Sequence, residues 1–231
     1  GIVKPHYKLH HSMMNFVNAA LEDADVLLYL TEPKDEPIQE EILEKIKKSE
    51  LPLIVLINKI DRSTQEEVEK MIAHWSKAFP QAEIIPISAL LNFNIHSLMD
   101  RIIEKLPENP PYYEKDQLTD KSERFFVSEI IREKILKLYH REVPYSAEVS
   151  VESFKEEENI VRIMAYIFVA RESQKIILIG KQGNAIKKLG TEARKDMEEF
   201  IGKKVFLELS VKVRKDWRND PKQLRQFGYE D

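Results

Sequence analysis

The chain has 231 residues, 42% of them hydrophobic and 33% charged, a composition typical of a globular protein and too charged for a membrane protein. The absence of cysteine excludes disulfides, thiolate metal sites and a cysteine nucleophile, and no stretch has the ~18 consecutive apolar residues of a transmembrane helix. The net charge of −4 is unevenly divided, because residues 1–120 carry 13 Lys/Arg against 21 Asp/Glu and residues 121–231 carry 23 against 19. The second half is therefore the better candidate for binding an anionic partner.

The first half alternates segments of helical and strand-like pattern. The spacing of apolar residues predicts helices over residues 7–21, 36–48, 64–79 and 95–106. Short apolar runs predict strands over residues 24–30, 51–57 and 83–87. Strands that are apolar on both faces and separated by helices indicate a doubly wound α/β unit with a parallel sheet. Ligands of such folds bind beyond the carboxyl ends of the strands.

Three prolines between residues 107 and 111 end this pattern, since proline interrupts helices, and we assign residues 107–120 to a linker. The sequence thus predicts two domains, over residues 1–106 and 121–231. In the second, the pattern predicts a helix over 122–140, a β-hairpin of 147–154 and 160–170, a helix over 184–201, a strand over 204–213 and a short helix over 220–227. Propensity alone predicts a strand for the isoleucine-rich segment Gln174–Ile179.

The first candidate site is the sequence Asn58-Lys59-Ile60-Asp61, which directly follows a predicted strand. The Asp61 carboxylate can accept hydrogen bonds from N1–H and N2–H₂ of guanine, a donor pair that adenine lacks. Asn58 can connect this loop to its neighbours, and the stem of Lys59 can lie flat on the base. Ser88-Ala89-Leu90 follows the next strand, where a small residue lets a backbone N–H approach guanine O6. The alternative is a pair of ordinary strand-to-helix loops.

The second candidate site is Gly180-Lys181-Gln182-Gly183, which precedes the predicted helix that begins at Asn184. Two glycines let a backbone approach closely, and a helix N-terminus presents N–H groups to phosphate. Residues 175–195 hold six Lys/Arg, including Lys187 and Lys188, against one glutamate. This pattern favours binding of nucleic acid, although a GxxG sequence by itself can also be a tight turn.

Together these motifs resemble the Era family of bacterial GTPases. The resemblance also rests on the linker sequence Pro-Pro-Tyr-Tyr at 110–113 and on the segments at 116–125, 129–133 and 142–145, so it covers essentially the whole chain. It implies a Ras-like G domain followed by a type II KH domain with the order αββααβ, in which Gln174–Ile179 is a short helix. It further implies a protein that binds and hydrolyses GTP with Mg²⁺, binds the 3′ end of 16S rRNA and acts in assembly of the small ribosomal subunit.

The sequence departs from this family in one respect. None of the six glycines belongs to a G-x-x-x-x-G-K-[ST] phosphate-binding loop. Gly1-Ile2 followed by Lys4-Pro5 is similar to the end of the family's D-x-P-G element, so we expect the chain to be the C-terminal part of a GTPase. Gly1 would then lie near the nucleotide, and we expect no hydrolysis by these 231 residues, no catalytic residue among them and no metal ligand.

Other expectations concern the surroundings of the protein. No secretory signal is visible, so we expect a cytoplasmic protein, and the family resemblance implies peripheral contact with the inner membrane and a monomer. Trp217 lies among basic residues, where it can either hold an RNA base or pack in the core. Two other functions are open: an RNA-binding module whose α/β half is a docking scaffold without nucleotide chemistry, and a nucleotide enzyme whose KH unit is structural.

Overall fold

The computed structural model describes residues 2–33, 40–110, 119 and 121–229, and it divides the chain into two compact units, residues 1–112 and 113–231. This division falls inside the predicted linker of residues 107–120. Most of that linker, including residues 111–118, lies outside the described residues, as does Gly1. The limits of the predicted domains therefore stay a prediction.

The first unit is a parallel sheet with helices on both faces, which confirms the predicted fold class. Its helices are Lys8–Asp23 (α1), Glu40–Lys48 (α2), Gln65–Ala78 (α3) and Ile95–Lys105 (α4). Its strands are Leu27–Thr31 (β1), Leu53–Ile57 (β2) and Glu83–Pro86 (β3). All three strands are parallel, in the order β1-β2-β3. The start predicted for the second helix, at residues 36–39, lies outside the described residues.

The two faces of this sheet pack against different helices. Alternate residues of β1 and β2, such as Tyr29 and Val55, form one core cluster with apolar residues of α1, α2 and α3. Ile54 and Leu56 point to the other face, where Leu98 of α4 completes a second cluster. Because β2 is covered on both sides, all five of its residues are buried, and the loop after it starts from a rigid strand.

Helix α3 begins with a cap at Thr64, whose hydroxyl accepts a hydrogen bond from Glu67 N at 3.3 Å. The Glu67 carboxylate accepts one in return from Thr64 N at 2.8 Å. This capping box begins the helix directly after the loop of residues 58–61.

The second unit combines a three-stranded sheet with helices in the α+β order expected of a KH domain. Its helices are Glu123–Leu138 (α5), Val143–Ser146 (α6), Glu172–Ile179 (α7), Asn184–Ile201 (α8) and Pro221–Gln226 (α9). Its strands are Glu148–Glu156 (β4), Ile160–Val169 (β5) and Lys204–Val213 (β6). β4 is antiparallel to β5, whereas β6 lies parallel to β5 at the edge of the sheet. The one-turn helix α6 was not predicted from the sequence.

The strand that propensity predicts over Gln174–Ile179 is wrong, because these residues belong to α7. Both ends of this helix find partners: Gln174 Oε1 accepts from Ala170 N and Arg171 N, and Tyr139 donates its hydroxyl to Leu178 O at 2.8 Å. Leu178 is fully buried, and burial also raises the pKa of Tyr139 to about 12. Tertiary packing therefore outweighs the weak strand preference of isoleucine.

No helix among the described residues is both long and apolar enough to cross a membrane.

Candidate functional site

The two predicted loops of the first unit lie side by side at one edge of its sheet. Residues 58–61 follow β2 and residues 88–90 follow β3, and these strands are parallel neighbours. Backbone hydrogen bonds continue past the strands, from Asn58 N to Thr31 O at 2.7 Å and from Ile87 N to Ile57 O at 2.9 Å. The carboxyl ends of β2 and β3 therefore present both loops at the same place.

Asn58 connects the two loops, as the sequence led us to expect. Its side-chain oxygen accepts hydrogen bonds from Lys59 N at 2.8 Å and from Ala89 N at 3.1 Å. Lys59 has a left-handed backbone with φ of 62°, an uncommon conformation for a residue with a side chain, and the bond from Asn58 helps to hold it. Its ammonium group forms an ion pair with Glu32.

Asp61 is held by the second loop. The hydroxyl of Ser88 donates to Asp61 Oδ1 at 2.5 Å and accepts from Leu91 N at 3.2 Å. Ser88 is 1% exposed, and the side chain of Asp61 is 12% exposed although its backbone is open to solvent. Among the described residues, the polar partner found for Asp61 Oδ2 is the exposed Arg62 side chain, at 4.0 Å. A fixed carboxylate can accept a pair of N–H donors from a planar base, one on each oxygen, because Oδ1 keeps a second lone pair beside the bond from Ser88.

The geometry of residues 88–90 differs in detail from the sequence expectation. The Ala89 N–H, expected to approach guanine O6, donates to Asn58, so a base would have to share or exchange that bond. Leu90 is 75% exposed beside it and presents an apolar surface at the edge of the loop.

The sequence offers no phosphate-binding loop to accompany these two loops. The sequence lacks a phosphate-binding glycine loop, and Gly1 lies outside the described residues. Among the residues that the structure describes, no group of three His, Asp or Glu side chains is arranged to hold a metal ion.

In the second unit, the two glycines of the GxxG loop have different structural roles. Gly180 has φ of 72°, and a Cβ there would lie 2.6 Å from the Cβ of Ala185, so the packing of the loop requires glycine. Gly183 has φ of 76°, but a Cβ there would meet no atom within 4 Å. The space beside Gly183, at the start of α8, is open to a ligand.

The GxxG loop leads into a groove of about 380 Å³ between α8 and the edge strand β6. Its wall is apolar on the strand side and cationic on the helix side. The lining residues are Ile186, Lys187, Gly190, Thr191, Arg194, Val205, Phe206, Leu207 and Leu209. Lys181, Gln182 and Lys188 are exposed beside the groove without lining it. Sequence reasoning placed Lys187 here but missed Gly190, Thr191 and Leu209, because the parallel placement of β6 against β5 brings them together.

Trp217 is not available to hold a base. It is 2% exposed and lies edge-on to Phe227 at 5.6 Å between ring centroids. The two alternatives for this residue are thereby decided in favour of core packing, because a stacked base needs an open ring face.

Comparison with known families gives two matches that follow the two units. The KH domain family matches residues 142–218, and the elongation factor Tu GTP-binding domain family matches residues 10–108.

The chain is also similar to whole proteins of one family. It is 42% identical to GTPase Era of Clostridium kluyveri, covering 99% of this chain and 79% of that protein, and 44% identical to GTPase Era of Syntrophus aciditrophicus, covering 100% and 77%. A crystal structure of Era in complex with MgGDPNP and nucleotides 1506–1542 of 16S ribosomal RNA superposes with a TM-score of 0.92 at 39% identity, over 100% of this chain and 80% of that one. A crystal structure of an Aquifex aeolicus Era variant bound to GDP·AlF₄⁻ gives the same values. On this identity and coverage, the chain belongs to the Era family of GTPases.

Proposed function

We propose that this chain binds single-stranded ribosomal RNA in the groove between α8 and β6 and recognises a guanine base on loops 58–61 and 88–90. The observation that carries the RNA proposal is the open, left-handed Gly183 at the start of α8, beside a groove with one cationic wall. KH domains hold about four nucleotides at such a loop.

In this account the groove separates two tasks. The backbone N–H groups at the start of α8 and the side chain of Lys187 hold phosphates, which fixes the strand without reading its sequence. The apolar wall formed by Ile186, Leu207 and Leu209 accommodates the bases. Gln182 and Lys181 lie exposed beside the path of the strand, and Lys188 adds to the positive potential.

The Era structure that superposes on this chain contains nucleotides 1506–1542 of 16S rRNA. We therefore propose the 3′ end of 16S rRNA as the RNA partner here and assembly of the small ribosomal subunit as the process, in the cytoplasm. The monomeric state and peripheral contact with the inner membrane stay predictions.

The guanine proposal rests on the contacts of Asp61. Ser88 uses one lone pair of Oδ1, so Oδ1 and Oδ2 together can accept the N1–H and N2–H₂ of guanine, one donor on each oxygen. Adenine has no such donor pair, so the site discriminates by hydrogen bonding rather than by shape. The alternative, an α/β scaffold without nucleotide chemistry in these 231 residues, predicts equal and negligible binding of GMP and AMP.

The sequence contains no G-x-x-x-x-G-K-[ST] loop to hold the phosphates of a nucleotide, so no hydrolytic step is derived from these residues. We expect the 231-residue chain to release no phosphate from GTP above the uncatalysed rate. Measurable turnover by the purified chain would contradict this expectation.

The RNA proposal is tested by fluorescence anisotropy with a labelled oligonucleotide from the 3′ end of 16S rRNA and a scrambled strand of equal composition. We expect the ribosomal strand to bind at least tenfold more tightly, because base contacts specify sequence. Equal binding of both strands would retain RNA binding but remove the ribosomal assignment. Failure of both strands to bind would contradict the proposed function of the groove.

A further inference from the structure

The sheet of the second unit has a second face, opposite to α5, α7 and α8, and only one end of it is covered, where Phe168 is buried against Phe227 after α9. On β6, Val205 and Val211 belong to the core cluster, as Leu207 and Leu209 do at its edge. Side chains alternate along a strand, so every second residue of β6 from Phe206 to Lys212 points to the opposite face. Their register partners on β5, from Arg162 to Phe168, point to the same face. We call this surface the open face.

Cations lie over aromatic rings along the open face. The Lys212 ammonium is 3.2 Å from the ring centroid of Tyr166. The Arg214 guanidinium lies 5.7 Å from the ring of Phe168, and that of Arg162 lies 5.4 Å from the ring of Phe206. A ring below a cation holds the charge in place without neutralising it.

At one end of the open face the positive charges lack acidic partners. Lys212, Arg214 and Lys215 are exposed, and no carboxylate of the described residues lies within ion-pair distance of them. We call these three residues the basic ridge. Arg162, at the other end, differs because it pairs with Glu157 at 3.0 Å.

Over residues 212–216 three cations stand against one carboxylate, that of Asp216, so the segment has a net charge of +2. Asp216 accepts a hydrogen bond from Asn219 at 2.7 Å, and the buried Glu148 accepts one from the Tyr229 hydroxyl at 2.8 Å. Glu208 is four residues from Lys212 on the same strand, about 13 Å away. That distance exceeds the screening length of about 8 Å at physiological ionic strength, so Glu208 does little to offset the net charge of +2 over residues 212–216.

We propose that the basic ridge is a second RNA-binding surface, which holds the sugar–phosphate backbone of the strand after it leaves the groove. This inference rests on the proposed function of the groove. The argument is continuity: β6 is an edge strand whose alternate side chains line the groove and the open face, so a strand longer than the four or so nucleotides held at the GxxG loop crosses β6 towards the ridge. The cations of the basic ridge bind the phosphates of that strand, and the ring of Tyr166 positions Lys212.

The test compares a five-nucleotide RNA, which fills the groove, with 12-nucleotide RNAs that extend the same sequence at the 5′ or the 3′ end. Binding to the full chain is measured by anisotropy at several salt concentrations. The variant Lys212→Glu/Arg214→Glu removes the ridge. Lys155→Glu is the control, because this exposed lysine opposes Arg162 at the far end of the sheet.

For the wild-type chain we expect one extension to improve affinity at least tenfold over the short RNA. The double variant should lose that gain, with a salt dependence of log K shallower by about 1.4 for two lost phosphate contacts, and bind the short RNA within twofold of wild type. Lys155→Glu should retain the gain. Tyr166→Leu should reduce the gain and Tyr166→Phe restore it, which separates positioning of Lys212 from loss of fold.

Three results would contradict RNA binding by the basic ridge. They are no gain in affinity from either extension, an undiminished gain in the double variant, or an equal loss of that gain in Lys155→Glu. The last would indicate general attraction to a charged domain. If instead the groove is not the RNA-binding site, Gly183→Asp will leave binding of the five-nucleotide RNA unchanged.

Discussion

The two sites of this chain recognise their ligands by different chemical means. In the first unit, side chains at the ends of parallel strands form a fixed hydrogen-bonding pattern, with Asp61 held by Ser88 and the two loops joined through Asn58. In the second unit, the approach is made by backbone, because Gly183 leaves open space and the side chains around the groove supply charge and apolar surface. The first arrangement selects a base, and the second holds a strand. Substitutions should therefore change selectivity in the first unit and affinity or salt dependence in the second.

The largest effect is expected at Gly183. Aspartate there places a side chain and a negative charge in the open space where phosphates pass, and we expect single-stranded RNA affinity to fall about 100-fold, or ~3 kcal/mol. Gly183→Asn shares the size and the left-handed backbone but lacks the charge, so its loss should be smaller.

Gly202→Asn is the matched control for strain, since Gly202 has φ of 74° and open space at the other end of α8. Both asparagine variants should lose about 1 kcal/mol of unfolding free energy, measured by denaturation. Only the variants at residue 183 should lose affinity for RNA. Equal RNA binding by Gly183→Asp and wild type would exclude the GxxG loop as the site.

At Asp61 the expected effect is a change of base preference. Asp61→Asn replaces the acceptor for N1–H and N2–H₂ by an amide, and we expect GMP affinity to fall about 30-fold, or ~2 kcal/mol, while XMP affinity rises. Calorimetric titration with GMP, XMP and AMP measures this. Unchanged GMP binding would show that residues 58–61 do not bind the base.

Ser88 should act on the same preference more weakly, because it positions Asp61 without touching the ligand. Ser88→Ala removes the hydrogen bond to Asp61 Oδ1, and we expect about a fivefold loss in GMP affinity, or ~1 kcal/mol. Ser63→Ala is the control, because no side-chain hydrogen bond of Ser63 is found among the described residues of the same unit. An equal loss of GMP affinity in both variants would contradict the positioning role of Ser88.

The smallest effect is expected at Lys187. Lys187→Ala should reduce the affinity for all RNAs alike, by two- to threefold. It should also reduce the slope of log K against log salt by about 0.7, the change expected for one lost phosphate contact on a single strand. Lys188→Ala should change the slope less, since Lys188 does not line the groove. A loss that depends on RNA sequence would show instead that Lys187 contacts bases.

The sequence was sufficient for features whose signal is local. The apolar run of β2, the cap at Thr64 and the loop of residues 58–61 were each predictable because neighbouring residues determine them. The same holds for α8, which begins and ends as predicted at Asn184 and Ile201. The loops at residues 58–61 and 88–90 could therefore be identified from the sequence, because their proposed chemistry depends on the identity of their side chains.

Features that depend on distant packing could not be read in this way. The helix α7 contains an isoleucine-rich segment that resembles a strand, and its conformation depends on burial of Leu178 and on the hydroxyl of Tyr139. Trp217 has basic neighbours in sequence, yet its contacts are with Phe227 and the core. The groove residues Gly190 and Leu209 meet only because β6 lies parallel to β5. The basic ridge depends on the same pairing.

The most direct test of two separate sites is a pair of amide-resonance titrations on the isotopically labelled 231-residue chain, one with GMP and one with the 16S rRNA oligonucleotide. We expect GMP to shift the amides of Lys59, Ala89 and Leu90, and AMP to shift none of them. We expect the RNA to shift the amides of Gly183, Lys187 and Arg194. Shifts of the first set by RNA, of the second set by GMP, or equal shifts by GMP and AMP would contradict the account.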